Sequence, residues 1–488
     1  MKNVFIYGAP GSGKTTLGKK LAKRFLLPFA DLDYEITYAS GGKSIPEIFE
    51  SEGEEGFRKR ELSSLSATNA RMQQLNGGII SLGGGALLND QARNIAETFG
   101  TVFMVDTPKE ELMKRVSRQS GSRPLAAEKE RFEKLLESRA SHYASFPSSI
   151  NTHFYIDSGD EPSDIFVGKG LLRNIGAFAT LRFSQRQRCV LVADENTNPL
   201  YGDTVEKSLI NAGFDVSRCV IPAGEATKDI STVSTIWNSF LKAGLGRNDF
   251  AIALGGGVTG DLTGFAAATW MRGMSWINIP TTLLSMVDAS TGGKTGFDLP
   301  EAKNMVGAFH SPVFVIADID TLTTLPEREL KCGLAESVKH ALISDPELLS
   351  VLPNCDASTV ARSLAVKVKI VTEDAREKGC RAKLNLGHTV GHAIEIATNF
   401  KIKHGEAVAI GTVEEARMAV KLNLAPENWP DKVASYFNNV GLSTTMPDGL
   451  TIESLTDTMK LDKKRSGETI AFALPVAPGD VRLVPVKL

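Results

Sequence analysis

Short apolar runs punctuate the first two-thirds of the chain: Val4-Phe5-Ile6-Tyr7, Gly78 to Leu82, Thr101 to Val105, Cys189 to Ala193, Cys219-Val220-Ile221 and Phe250 to Leu254. Each leads into a helical or glycine-rich segment, such as Thr16, Leu17, Leu21, Ala22 and Phe25 at helical spacing after the first run. Strands alternating with helices predict α/β layers around a mostly parallel sheet. The pattern gives way to polar turn formers at Asp157-Ser158-Gly159-Asp160-Glu161-Pro162-Ser163, which predicts a domain boundary. A second α/β series follows. From about Leu325 helical periodicity dominates, and β-rich runs are scarce until Thr469 to Leu474. The expected division is an α/β domain over 1–160, an α/β nucleotide-binding lobe over 163–325 and a mainly helical lobe over 326–488.

Composition narrows this picture. A chain of 488 residues is too long for one hydrophobic core. Its 42% hydrophobic and 23% charged content are those of a globular protein, and a net charge of −2 gives no basic footprint for nucleic acid. Five widely spaced cysteines without a C-x-x-C suit reduced thiols. No apolar run is long enough to cross a bilayer, and the first strand begins too early to leave room for a signal peptide, so a cytoplasmic location is expected.

Gly8-Ala9-Pro10-Gly11-Ser12-Gly13-Lys14-Thr15 fits the phosphate-loop pattern in the strand–loop–helix context it requires, with Thr16 opening the helical run. Glycines let backbone N–H groups wrap a polyphosphate; Lys14 would reach the terminal phosphates and Thr15 would meet Mg²⁺. The alternative is a glycine-rich turn with a chance lysine. In Phe29-Ala30-Asp31-Leu32-Asp33 the acids alternate as on a strand, which predicts both carboxylates on one side. They are either a metal- or cation-seeking pair or solvated acids at a strand end. Phe57-Arg58 offers a carboxylate anchor, Gly83-Gly84-Gly85 bare backbone, and Arg118 to Arg123 a short basic lid.

These segments, with Ser44 to Phe49, Arg123-Pro124-Leu125 and Arg139, resemble shikimate kinase over roughly 1–157. The resemblance implies ATP and Mg²⁺ binding by Gly11, Ser12, Gly13, Lys14, Thr15, Thr16, Asp31, Arg118 and Arg123. It also implies shikimate binding by Asp33, Arg58, Gly84 and Arg139, with Asp33 orienting the 3-hydroxyl and Lys14 and Arg123 neutralising the transferred phosphoryl group. The lid is short for that family, and its usual C-terminal helix is missing before the boundary.

In the second half, His388 and His392 stand four residues apart on one predicted helix face, with His404 a loop later and Glu336 upstream. Glu336, His388 and His404 make three candidate ligands with one position open, the make-up of a catalytic zinc site. Structural histidines are the alternative. Gly255-Gly256-Gly257-Val258-Thr259-Gly260 follows a strand but lacks the later acid of a dinucleotide fingerprint, a carboxylate Asp194 could supply. Arg272, Lys294, Lys303, Lys339, Lys367, Arg381 and Lys463-Lys464 are candidate contacts for a multiply anionic substrate.

Together these segments resemble 3-dehydroquinate synthase over roughly 163–488. The resemblance implies zinc, or cobalt, on Glu336, His388 and His404. It implies NAD contacts at Asp194, Asn196, Glu225, Lys228, Gly256, Gly257, Val258, Asp261, Thr281, Thr282, Asp288, Thr321, Leu322, Thr323 and Thr324. Arg272, Lys294, Lys303, Asn304, Lys339, Lys367, Arg381, Asn385 and Lys463 or Lys464 would hold the substrate, and Glu377, His392 and Lys339 would serve catalysis. The implied reaction turns 3-deoxy-arabino-heptulosonate 7-phosphate into 3-dehydroquinate with loss of phosphate and recycling of NAD⁺. The whole chain then reads as a bifunctional aromatic-pathway enzyme with small-molecule substrates, no nucleic-acid or membrane partner, and a homodimer formed through the synthase half. Two alternatives stand beside it: a zinc and NAD polyol dehydrogenase in the second half, and a non-catalytic ATP sensor in the first.

Overall fold

The computed structural model describes residues 2–117, 129–157, 161–183, 187–300, 302–377, 379–460, 465–466 and 469–487. Arg118, Arg123, Lys463 and Lys464 therefore lie outside the described residues, as does the whole expected lid from Arg118 to Arg123. The chain is α/β throughout its first two-thirds and mainly helical thereafter. It packs as two compact units: residues 1–153 with 166–189 and 200–217, and residues 154–165 with 190–199 and 218–488.

Strands β1 (Asn3–Gly8), β2 (Phe29–Asp31), β3 (Ile79–Ser81) and β4 (Gly100–Val105) of the first unit, with β5 (Ser149–Ile156), whose residues up to His153 belong to it, lie in the order β2-β3-β1-β4-β5, with parallel pairings throughout. Every residue of β1 is buried, as expected of a central parallel strand covered on both faces. Phe5, Tyr7, Leu32, Ile36, Ile48, Leu65 and Ile80 share one core with the helix Ile45–Gln74. Ser44 starts that helix with a reciprocal capping box: Glu47 accepts from the Ser44 N–H at 2.7 Å, and the Ser44 hydroxyl accepts from the Glu47 N–H at 3.4 Å. β5 and β6 (Ser163–Lys169) flank the predicted boundary.

β7 (Arg188–Asp194) and β8 (Asp215–Ile221) begin in residues of the first unit and end in residues of the second, which holds β9 (Phe250–Gly255), β10 (Trp276–Pro280), a hairpin of β11 (Lys294–Leu299) and β12 (Ala302–Phe309), and β13 (Phe314–Asp318). In the order β13-β10-β9-β7, β13, β10 and β9 pair in parallel, so their C-terminal ends lie side by side, where ligands bind in open α/β sheets. The helical part holds Glu327–Ser344, Ala357–Glu373, His388–Ala397 and His404–Lys421, and Val390, Ile394, Ala407 and Ile410 pack with Phe472 and Leu474 of the strand Thr469–Ala477. Among the described residues no helix is long and apolar enough to cross a membrane.

Candidate functional sites

The loop between β1 and the helix Lys14–Phe25 is shaped by backbone that only glycine adopts readily: Gly8, Gly11 and Gly13 have φ of 144°, 82° and 91°. A Cβ on Gly8 would stand 2.4 Å from the Val105 carbonyl oxygen. Lys14 is buried and donates to the Ala9 carbonyl at 2.8 Å, so its ammonium lies inside the curl of the loop. The buried Ser12 hydroxyl has no hydrogen-bond partner, and the Thr15 hydroxyl donates to Asp31 at 2.7 Å and lies 3.2 Å from Ser81 Oγ. Loop, lysine, hydroxyl and carboxylate form a cradle suited to a polyphosphate and its Mg²⁺.

The predicted strand over Asp31-Leu32-Asp33 is corrected. β2 ends at Asp31, which caps the helix Leu32–Ala39 by accepting from the Asp33 N–H at 3.1 Å. An Asx cap won over strand alternation because the following residues, Leu32 and Ile36, bury a helical face. The two carboxylates consequently serve different neighbours: Asp31 meets Thr15, while Asp33 Oδ1 lies 3.2 Å from where a Gly83 Cβ would stand.

Gly83 to Gly85 form bare backbone against which Asp33, Arg58 and Glu61 close in. Arg58 pairs with Glu61 at 2.6 Å and with Glu54 at 3.4 Å. Burial pushes the Glu61 carboxyl up, opposed by Arg58. The Gly84 carbonyl accepts from Tyr143 at 2.7 Å, Arg139 at 3.1 Å and Tyr7 at 3.3 Å. Sequence reading missed Glu61, Tyr143 and Tyr7, since a lone acid in a polar helix and two tyrosines carry no local signature.

In the second unit Glu336 is fully buried on the helix Glu327–Ser344, and its Oε1 accepts no hydrogen bond. That oxygen faces His404 Nε2 at 3.5 Å and His388 Nε2 at 3.8 Å, and the three ligand atoms lie within 4.8 Å of one another. Both imidazoles have Nδ1 beside an acceptor, the Leu386 carbonyl at 3.0 Å for His388 and Glu395 at 3.3 Å for His404, while Nε2 of each faces Glu336. Burial lowers the His404 pKa, but Glu336 and Glu395 outweigh it and push it up to about 10, whereas burial and then Lys339 hold His388 well below the usual imidazole range. One carboxylate and two imidazoles fit Zn²⁺ or Co²⁺ and leave a coordination position open. His392 is exposed, its ring centroid 5.3 Å from that of His388.

Cations extend from this centre. Lys339 contacts Glu336, and Lys367 donates to the Asp288 carbonyl at 2.6 Å and its carboxylate at 2.7 Å. Lys294 pairs with Glu377, which accepts from Asn385 at 2.9 Å, and Arg381 donates to the Gly292 carbonyl at 3.2 Å. Burial pushes Lys367 down; Asp288 opposes this, while Arg381 and Lys339 add to it. Crowded buried cations of this kind suit an anionic ligand. Lys303 pairs instead with Glu225 at 3.2 Å and lies 3.7 Å from Glu395, and Arg272 is exposed in a turn with φ 67°.

The nucleotide candidates gather at the strand ends. Gly256 caps the helix Gly257–Thr269, which carries Val258 and Asp261, directly after β9. A Gly256 Cβ would meet Thr282 at 3.2 Å. Asp194, ending β7, accepts from the N–H groups of Asn196 and Thr197 at 2.9 Å each and from the Thr259 hydroxyl at 3.0 Å. Thr281 follows β10, and Thr321, Leu322, Thr323 and Thr324 lie in the short helix after β13. Lys228 is buried between Asp261 at 2.7 Å and Asn304 at 2.7 Å.

Residues 218–332 match the model of the 3-dehydroquinate synthase N-terminal part, 333–465 that of its C-terminal part, and 10–168 that of shikimate kinase. A 3-dehydroquinate synthase from Symbiobacterium thermophilum is 42% identical over 342 residues, covering 68% of this chain and 96% of its own. The chain belongs to the 3-dehydroquinate synthase family. It also carries a shikimate kinase domain ahead of the synthase half. The synthase half is similar in structure to 2-deoxy-scyllo-inosose synthase complexed with carbaglucose-6-phosphate, NAD⁺ and Co²⁺, with a TM-score of 0.63 and 26% identity over 69% of this chain and 97% of that one. It is also similar to the 2-epi-5-epi-valiolone synthase of Streptomyces hygroscopicus subsp. jinggangensis 5008 with NAD⁺ and Zn²⁺ bound, with a TM-score of 0.61 and 27% identity over 67% and 93% of the chains.

Proposed function

We propose that this chain is a bifunctional enzyme of aromatic amino-acid biosynthesis. Its first activity is ATP-dependent phosphorylation of shikimate on the 3-hydroxyl. Its second is conversion of 3-deoxy-arabino-heptulosonate 7-phosphate to 3-dehydroquinate with release of phosphate. The observation that carries the synthase reading is the cluster of Glu336, His388 and His404, with the buried Lys339 on Glu336 and the buried Lys367 on Asp288 beside it.

In the kinase half the phosphate loop holds ATP, with Lys14 on the terminal phosphates and Thr15 and Asp31 serving Mg²⁺. Arg58 and Arg139 bind the shikimate carboxylate, Gly84 presents backbone, and Asp33 orients the attacking hydroxyl, so positioning and charge stabilisation supply the rate. An ATP sensor without turnover would not need this acceptor site.

In the synthase half Glu336, His388 and His404 hold the metal, and the strand-end residues from Asp194 to Thr324 hold NAD. When bound, zinc or cobalt makes a substrate hydroxyl more acidic and NAD⁺ accepts and returns hydride. Lys294, Lys367, Arg381, Asn304 and Asn385 grip the substrate's anionic groups, while Lys339, Glu377 and His392 serve proton movement. A neutral polyol offers no anionic group for this cluster of cations to hold, which disfavours the dehydrogenase reading. We place the enzyme in the cytoplasm, as a homodimer formed through its synthase half. Incubation with the heptulosonate phosphate, NAD⁺ and Zn²⁺ tests the reading: phosphate appears with no net NADH. Steady NADH accumulation on simple polyols without phosphate release from the heptulosonate would contradict it.

A further inference from the structure

Glu395 is a buried carboxylate in contact with His404, one of the candidate metal ligands, and no role above absorbs it. It lies seven residues after His388, two helical turns along the same helix, so it belongs on the face that carries the ligand. One of its oxygens, Oε2, meets His404 Nδ1 at 3.3 Å, on the side of the ring opposite the Nε2 that faces Glu336. The other, Oε1, lies 3.7 Å from Lys303 on the hairpin strand β12. Lys303 is held in turn by Glu225 at 3.2 Å and sits 4.3 Å from the centre of the Phe400 ring.

The two histidines differ in how Nδ1 is restrained. His388 uses the Leu386 backbone carbonyl, which no substitution removes, whereas His404 depends on a side chain. A carboxylate accepting the Nδ1 proton leaves the Nε2 lone pair free for a metal, fixes the ring plane and makes the imidazole a stronger donor. We infer that Glu395 is a positioning residue for the metal centre: it sets the tautomer and orientation of His404 and, through Lys303, ties that ligand to the β11–β12 hairpin. The inference rests on the metal-site reading above.

Metal affinity of the full chain, measured by competition with a chromophoric chelator, together with the absorption spectrum of the Co²⁺-loaded protein, tests it. Glu395→Ala is expected to weaken Zn²⁺ binding by about tenfold to a hundredfold and to shift the Co²⁺ spectrum. Glu395→Gln, whose amide oxygen can still accept the Nδ1 proton, should recover much of the affinity and guards against simple misfolding of the alanine variant. Lys303→Met should leave affinity nearer wild type while raising mobility of the hairpin by hydrogen exchange. Wild-type affinity and an unchanged Co²⁺ spectrum in Glu395→Ala would overturn the inference while leaving the metal site standing. A wild-type chain that binds no metal would instead overturn the site itself.

Discussion

Lys14 and the pair His388 and His392 stand in spacings that chemistry constrains, whereas Glu336 and His404 meet His388 only through the fold. Tyr143 reaches the Gly84 carbonyl across 59 residues of sequence, and nothing local marks it. Removal of the Lys14 ammonium should lower kinase turnover by at least about a hundredfold, the scale of losing one preorganised charge-stabilising donor, as checked by ADP formation with saturating shikimate. Tyr143→Phe deletes the shortest of the three hydrogen bonds to the Gly84 carbonyl. At a net worth of about 1 kcal/mol this should raise the KM for shikimate about fivefold with little change in kcat, and an unaltered KM would remove Tyr143 from the site.

The elements came through where hydrophobic period decided them. β1, β4, β7 and β9 fall on the apolar runs, and the histidine helix falls on its i, i+4 pair. The Asp31-Leu32-Asp33 segment failed because a three-residue strand turns straight into a capped helix, and alternation over so short a stretch carries too little signal. Close approach between helices was also invisible. A Cβ on Gly405 would stand 2.4 Å from Cys332 Cα, and that contact brings the helix opened by His404 against the helix that carries Glu336. Nearby, Gly387 has φ 77°, and a Cβ there would stand 2.6 Å from the Val408 carbonyl oxygen. Gly405→Ala should therefore destabilise the synthase half by about 1–3 kcal/mol through overpacking and weaken metal binding with it. Thermal unfolding with and without Zn²⁺ reads both effects; an unchanged Tm with full metal loading would show that the helices tolerate a methyl group there.

For the whole molecule, the motifs divide the chain in sequence, but compact packing does not follow chain order. Segments 166–189 and 200–217 cluster with the first 153 residues, and Phe178 stacks on Phe103 with ring centroids 4.6 Å apart. Pairings of such sequence separation are set by tertiary packing, which local periodicity cannot report. The proposed product of one half, 3-dehydroquinate, is not the proposed substrate of the other, shikimate, so two chemically independent sites on one polypeptide are required. Chelation should follow the same line: removing zinc stops phosphate release and leaves kinase turnover intact once Mg²⁺ is restored. The most direct test assays both reactions, ADP formation with shikimate and phosphate release from 3-deoxy-arabino-heptulosonate 7-phosphate, on the wild-type chain, Lys14→Ala and His388→Ala. The account predicts both activities in the wild type, loss of only the first in Lys14→Ala and loss of only the second in His388→Ala; a wild-type chain lacking either activity, or a single substitution that silences both in a folded protein, would contradict it.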